Sequence, residues 1–224
     1  MTTITAAPVA PLLDRLFSHA DDSDPATMPS VAPYWNALTD EDKARLVRSR
    51  TDYADFYGRM KDLPLAVSRE TGSLLYMLAR STRAHTVIEF GTSFGLSTIC
   101  LASALRDNGG GRLITTEFEV SKVARVRENL DAAGLADLVE VREGDALETL
   151  ARDLPDAVDL LLLDGAKALY PDILDLIEPR LRPGALVIAD DADFCPPYLE
   201  RVRAAGSGYL STACGDVELT IRLA

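Results

Sequence analysis

From about residue 86 to residue 205 the chain alternates short apolar, β-rich runs with stretches of helical spacing, and then breaks that rhythm. The runs are TVIEF (86–90), LITTEF (113–118), VEVREGD (139–145), DLLLLD (159–164) and ALVIADD (185–191). Such alternation is satisfied by a parallel sheet with helices on both faces. The close differs: GYLSTAC (208–214) and VELTIRL (217–223) are separated only by Gly215 and Asp216. A parallel pair needs a crossover of a dozen or more residues, so these two runs must pair antiparallel as a hairpin. A doubly wound sheet that is parallel until an antiparallel finish is an uncommon signature.

The five core runs each carry a carboxylate at or near the end: Glu89, Glu117, Asp145, Asp164 and the pair Asp190/Asp191. Ligands of open α/β sheets bind outside the carboxyl ends of the strands. A rim of oxygen acceptors there suits a ligand rich in hydroxyl and amino groups, or a divalent cation, and does not suit a bare polyphosphate. The formal net charge of −12 argues against nucleic acid or an anionic membrane as partner, because both require a basic face. Cys100, Cys195 and Cys214 are odd in number and share no short spacing, which predicts reduced thiols and a cytoplasmic setting. No basic start followed by a long apolar run opens the sequence, so no secretory signal is expected.

At 224 residues, 47% hydrophobic, the chain is read as a single domain in three regions. Residues 1–33, rich in Pro, Ala, Thr and Asp, read as a flexible arm around a short helix at Leu12–Ser18. Residues 34–80 read as a helical cap, with Thr39 and Asp42 in a capping arrangement ahead of KARLV. Residues 81–224 form the α/β core. The arm and apolar cap make a homodimer plausible.

The turn after the first strand, EFGTSFGLS, holds Gly91 and Gly95, four apart. A dinucleotide fingerprint needs three glycines spaced to seat a pyrophosphate. Two glycines still admit a ligand close to the backbone, and the following helix start, with Ser93 and Ser97 nearby, suits a carboxylate. Glu117 ends the second strand, where doubly wound nucleotide enzymes place the acid that takes ribose hydroxyls. Asp145 in GDA could accept from an exocyclic amine. A site for an amino-acid carboxylate, an acid for a ribose and an acid for a base together describe S-adenosylmethionine.

With EFGTSFGLS, TTEFE, EGDA, LLLDGAKALY, IADDADFCP and GDVELTIR in that order, the sequence resembles the class I S-adenosylmethionine-dependent methyltransferases. It is most similar to the small O-methyltransferases typified by catechol and caffeoyl-CoA O-methyltransferases, over roughly residues 63–224. The resemblance implies a Rossmann-like seven-stranded sheet whose last strand is antiparallel, matching the hairpin argument. It implies a cofactor site of Val67, Glu89, Gly91, Ser93, Gly95, Ser97, Glu117, Phe118, Asp145, Ala146 and Asp164, with Phe118 against the adenine. It places a divalent metal, Mg²⁺ or another cation, on Asp164, Asp190 and Asp191, hard oxygen ligands whose mutual repulsion a cation would relieve. Lys167 would be the general base, its proton affinity depressed by desolvation, acting with Asp164 on a hydroxyl of a small, aromatic acceptor.

Departures from the family pattern are Asp191, where Asn is usual, and Gly165–Ala166 within the Asp164–Lys167 motif. Three other readings stay open: a metal-independent methyltransferase acting on N, C or O, an NAD(P)-dependent oxidoreductase on the same sheet, and a cofactor-binding scaffold without activity. Tyr34 and Trp35 are candidates for acceptor wall or for cap packing, and Cys195 for pocket wall. His19 lies in the arm and His85 at the opposite rim, so histidine base catalysis is not expected.

Overall fold

The computed structural model describes residues 2–223. Five helices precede the sheet: α1 (Val9–Asp21), α2 (Ala32–Trp35), α3 (Asp40–Val47), α4 (Tyr53–Arg59) and α5 (Arg69–Ser81). The core then runs β1 (Thr86–Phe90), α6 (Leu96–Asp107), β2 (Arg112–Glu117), α7 (Val120–Ala133), β3 (Val139–Glu143), α8 (Ala146–Thr149) and β4 (Val158–Leu163). It continues with α9 (Tyr170–Ile177), β5 (Leu181–Asp190), α10 (Pro196–Arg203), β6 (Tyr209–Cys214) and β7 (Val217–Arg222). Strand order is β3-β2-β1-β4-β5-β7-β6, with β7 antiparallel to both its neighbours and the other adjacent pairs parallel. The hairpin expected from the two-residue gap at Gly215–Asp216 is present.

Strand alternation sorts the core onto two faces. Val87, Leu113, Leu160 and Ile188 pack under α5 and α6, while Ile88, Ile114, Leu161 and Val187 face α9 and α10. The order reverses between β1 and β4, and at that switch point the strand ends open a crevice. Helices α2 to α4 form a separate small cluster around Val31, Leu46, Phe56, Met60 and Leu63 that roofs this crevice. Thr39 caps α3 in the reciprocal box expected of it: its hydroxyl accepts from Asp42 N at 3.1 Å.

The first thirty residues differ from the expected loose arm. The short helix at Leu12–Ser18 extends over Val9–Asp21, and Val9, Leu12, Leu13 and Phe17 are buried in the main core. Thr3 clamps the start of the chain to the end of α6: its N–H donates to both Asp107 carboxylate oxygens at 3.1 and 3.0 Å, and its hydroxyl to Oδ1 at 2.6 Å. The Pro- and Asp-rich composition hid an amphipathic apolar stripe. Among the described residues, no helix is long and apolar enough to cross a membrane.

Candidate active site

One cavity of about 500 Å³ lies over the carboxyl ends of β1, β2, β4 and β5 beneath the cap. Its floor is the turn after β1. Gly91 there has φ +97, and a Cβ would stand 2.7 Å from the Asp164 carbonyl oxygen, so this backbone passage is open to glycine alone. Ser93 N donates to Glu117 Oε2 at 2.9 Å, and Glu119 N donates to Oε1 at 3.0 Å. These two bonds fix the carboxylate at the cavity wall. Burial raises the Glu117 proton affinity, opposed by its backbone donors and by the ammonium of Lys122. Asp145 caps α8 through Leu147 N at 2.8 Å and lines the far end beside Ala146. Phe118 lies half open on the wall next to Glu117.

Four expected cofactor residues do not reach the cavity. Glu89 is fully buried behind the glycine turn, where it accepts three hydroxyl donors at 2.6 Å each from Ser97, Thr98 and Thr115. Thr115 is its register partner on β2. Burial pushes the Glu89 carboxyl up to about 7 despite those donors. Ser97 therefore spends its hydroxyl inward on Glu89 and has none to offer a ligand carboxylate. Val67 belongs to the main core, and Gly95 caps α6 with Val126 Cγ2 occupying the space of any Cβ, 2.6 Å away. Each has its own reason: Glu89 and Ser97 satisfy each other beneath the turn, Val67 packs in the core, and Gly95 is closed in by Val126.

The reacting end of the cavity is built on β4 and β5. Lys167, 8% exposed, donates to Asp190 Oδ2 at 2.9 Å and Asp164 Oδ1 at 3.4 Å. Tyr170 braces the cluster by donating its hydroxyl to the Asp190 carbonyl at 2.8 Å. Burial, and then the charge of Asp190 beside it, hold the Asp164 carboxyl well above the usual carboxylate range. The Lys167 ammonium runs against expectation. Burial disfavours its charge, but Tyr170, Asp164 and Asp190 together outweigh that and hold its proton more tightly than in an ordinary lysine. A depressed lysine was expected because the two acids were assigned to a metal and not to the lysine itself.

The three aspartates do not gather as expected. Asp190 is buried, whereas Asp191 turns into the left-handed region at φ 48 and stands exposed on the rim. No group of three or more His, Cys, Asp or Glu side chains among the described residues is placed to hold a metal ion. Asp164 and Asp190 alone are a hard-oxygen pair whose repulsion a cation relieves, and the Lys167 ammonium meets that need. A divalent ion thus fits two of its three assigned donors.

The roof comes from residues the sequence reading did not single out. Tyr53, Phe56, Tyr57, Met60 and Leu65 line it with Trp35, while Phe194 closes the β5 side. The Tyr53 hydroxyl donates to Asp145 Oδ2 at 3.0 Å, tying α4 to the β3 end. The aromatic density of YADFY at 53–57 was the available signal. Tyr34 stays outside the cavity, with the Arg59 guanidinium 4.7 Å over its ring, and Cys195 is core. His85 sits at the opposite end of β1, its Nδ1 3.0 Å from the Gly110 carbonyl.

A parallel sheet closed by one antiparallel strand, with acids at successive strand ends around a single crevice, defines the class I methyltransferase architecture. Residues 88–192 match the family model described as a methyltransferase domain. The chain is 35% identical over 130 residues to a catechol O-methyltransferase of Niastella koreensis, spanning 57% of this chain and 58% of that protein. It is 36% identical over 131 residues to a catechol O-methyltransferase of Mycobacterium tuberculosis, spanning 58% and 59%. The matched segment thus reaches less than two thirds of the length of these relatives. Among solved structures, the O-methyltransferase TomG from Streptomyces achromogenes, which is involved in tomaymycin synthesis and was solved in complex with its methyl-donor cofactor, superposes with a TM-score of 0.65. The two share 29% identity, covering 88% of this chain and 100% of that one. In its fold, and in sequence over residues 88–192, the chain is similar to the class I S-adenosylmethionine-dependent methyltransferases, among them the small O-methyltransferases. That similarity and the two-glycine turn favour a methyltransferase over the oxidoreductase reading.

Proposed function

We propose that this protein transfers the methyl group of S-adenosylmethionine to a hydroxyl of a small aromatic acceptor. The observation that carries the reading is one cavity whose lining combines strand-end acids with an aromatic roof. Glu117 and Asp145 present acceptors for ribose hydroxyls and an adenine amine, with Phe118 offering a flat apolar wall. Trp35, Phe56, Tyr57 and Phe194 offer aromatic surface for an acceptor, and the Asp164–Lys167–Asp190 cluster lines the same cavity.

Each residue then has a role set by its position. The carboxylates favour the sulfonium cation of the donor, and the cap excludes water from the transfer. The Lys167 ammonium stabilises the oxyanion that develops as the acceptor loses its proton, and an ionised carboxylate of the Asp164–Asp190 pair receives that proton and becomes a neutral carboxyl. In-line positioning supplies much of the rate. Were Mg²⁺ bound, Asp164 and Asp190 would hold it, and it would polarise an acceptor oxygen. The placement of Lys167 between the same two carboxylates favours a second reading, transfer without a metal.

The test is methyl transfer from labelled S-adenosylmethionine to a panel of phenols and catechols. Lys167→Met should keep cofactor affinity and lose roughly 10²–10⁴ in turnover, the usual worth of a positioned proton-transfer group. Loss of turnover in EDTA with cofactor affinity intact assigns the metal-assisted route, and turnover that survives chelation assigns the metal-independent one. No measurable binding of S-adenosylmethionine would overturn the function itself.

A further inference from the structure

The cavity is strongly acidic, and that poses a problem for one end of the donor. Six carboxylate residues line it, Glu117, Glu119, Asp145, Asp164, Asp190 and Asp191, against two lysines, Lys122 and Lys167. The sulfonium and the α-ammonium of S-adenosylmethionine suit such a wall. Its α-carboxylate does not, because like charges in a partly desolvated site repel strongly. The serine positioned by sequence to meet that carboxylate, Ser97, donates to Glu89 instead. Lys167 is committed to Asp164 and Asp190.

Lys122 remains. It projects from the first turn of α7, is 4% exposed, and lines the cavity between the glycine turn and the end of β2. Its sole side-chain hydrogen bond among the described residues is a long one to Ser93 Oγ at 3.4 Å, and it makes no ion pair within 4.0 Å there. The ring of Phe94 lies 5.8 Å from its Nζ. A buried ammonium with three donors and one weak partner is an incomplete arrangement, since buried charges are ordinarily paired. Burial lowers its proton affinity, while Glu117 and Glu119 act against that; Asp164 and Asp62 contribute in the same sense.

We infer that Lys122 is the cation that binds the α-carboxylate of S-adenosylmethionine, and so selects donors that keep an intact amino-acid tail. This rests on the cofactor reading above and adds the residue that makes an acidic cavity accept a zwitterionic tail. The ion pair also completes Lys122 itself. Free protein holds a buried charge with one long hydrogen bond, and bound protein holds a charge-assisted pair.

The experiment compares calorimetric affinities of S-adenosylmethionine and its decarboxylated analogue, which differ only in the carboxylate, for wild type, Lys122→Met and Lys122→Arg. Lys122→Met should weaken S-adenosylmethionine by about 10–100-fold, the worth of a hydrogen bond to a charged group, and move the analogue by less than about threefold. Lys122→Arg should restore most of the affinity for S-adenosylmethionine. Because the contrast is read within one variant, a general loss of fold integrity moves both ligands together. Equal weakening of the two, or no weakening of either, overturns the assignment while leaving the cofactor reading intact. Failure of wild type to bind either ligand overturns the cofactor reading and this inference with it.

Discussion

Glu89→Gln separates a structural acid from a cofactor ligand. Glu89 is fully buried and its carboxyl is pushed up to about 7, from an ordinary 4.5, chiefly by burial. A raised carboxyl means that between pH 4.5 and 7 the native state holds a proton that the unfolded chain has released. The stability from the neutral form is therefore complete below about 4.5 and is lost as pH rises through 7. The gap of about 2.5 pH units corresponds to roughly 3 kcal/mol at about 1.4 kcal/mol per unit. Glutamine fills the same space, accepts from Ser97, Thr98 or Thr115 through its carbonyl, and cannot ionise. Urea titrations of both proteins at pH 5, 6, 7 and 8 isolate this group, because every other titration is shared. The stability of Glu89→Gln relative to wild type should climb by about 2–3 kcal/mol between pH 5 and 8. S-adenosylmethionine affinity should stay within about threefold of wild type, less than the loss of one hydrogen bond to a charged group. A difference in stability that is flat across this range refutes the burial argument. A collapse of cofactor affinity at constant stability would return Glu89 to the ligand set.

Glu117→Ala should weaken S-adenosylmethionine by about 1.5–3 kcal/mol in calorimetry, since the ribose loses a charge-assisted acceptor; unchanged affinity would mean that the ribose lies elsewhere. Gly91→Ala forces a Cβ to within 2.7 Å of the Asp164 carbonyl at φ +97, and thermal denaturation should show a loss of at least about 1–3 kcal/mol together with lost cofactor binding. Tyr53→Phe removes the bond to Asp145 Oδ2, freeing that oxygen for an adenine amine. Cofactor affinity should tighten by up to about fivefold, the worth of roughly 1 kcal/mol, whereas weaker binding would show that Tyr53 itself touches the ligand.

The sheet was legible because its determinants are local. Helical spacing between β-rich runs forces crossovers, and two residues between the last runs forbid one, so the parallel pairing of β1 to β5 and the antiparallel hairpin of β6 and β7 follow from the sequence. The site was legible where a side chain stands at the last residue of its strand or just beyond it. Glu117, Asp145, Asp164 and Asp190 end or follow strands and line the cavity, as does Ser93 in the turn. Glu89 lies one residue before the end of β1, opposite Thr115, and the pleat turns it under α6. Its neighbours in TVIEF carried that signal, since a carboxylate flanked by Ile88 and Phe90 shares a strand buried on both faces. The roof was illegible for a different reason: its position depends on how α2 to α4 fold back, and no local pattern fixes that contact.

Charge pairing across the site also depends on distance in space and not in sequence, and it changes the chemistry most. Asp164 and Lys167 are three apart and were expected to serve different partners, a metal and an acceptor. The buried 2.9 Å bond to Asp190, twenty-three residues on, ties them into one unit. A lysine so paired keeps its proton, so the group available to take one is a carboxyl whose affinity for protons has already been raised by burial. A cation entering the pair must displace the ammonium from Asp190, and the energy of that displacement sets how strongly any metal is held. Metal affinity of Lys167→Met above that of wild type, measured by calorimetry with Mg²⁺ alone, is the expected sign of that competition. Equal affinities would mean that the ammonium and the ion do not share the two carboxylates.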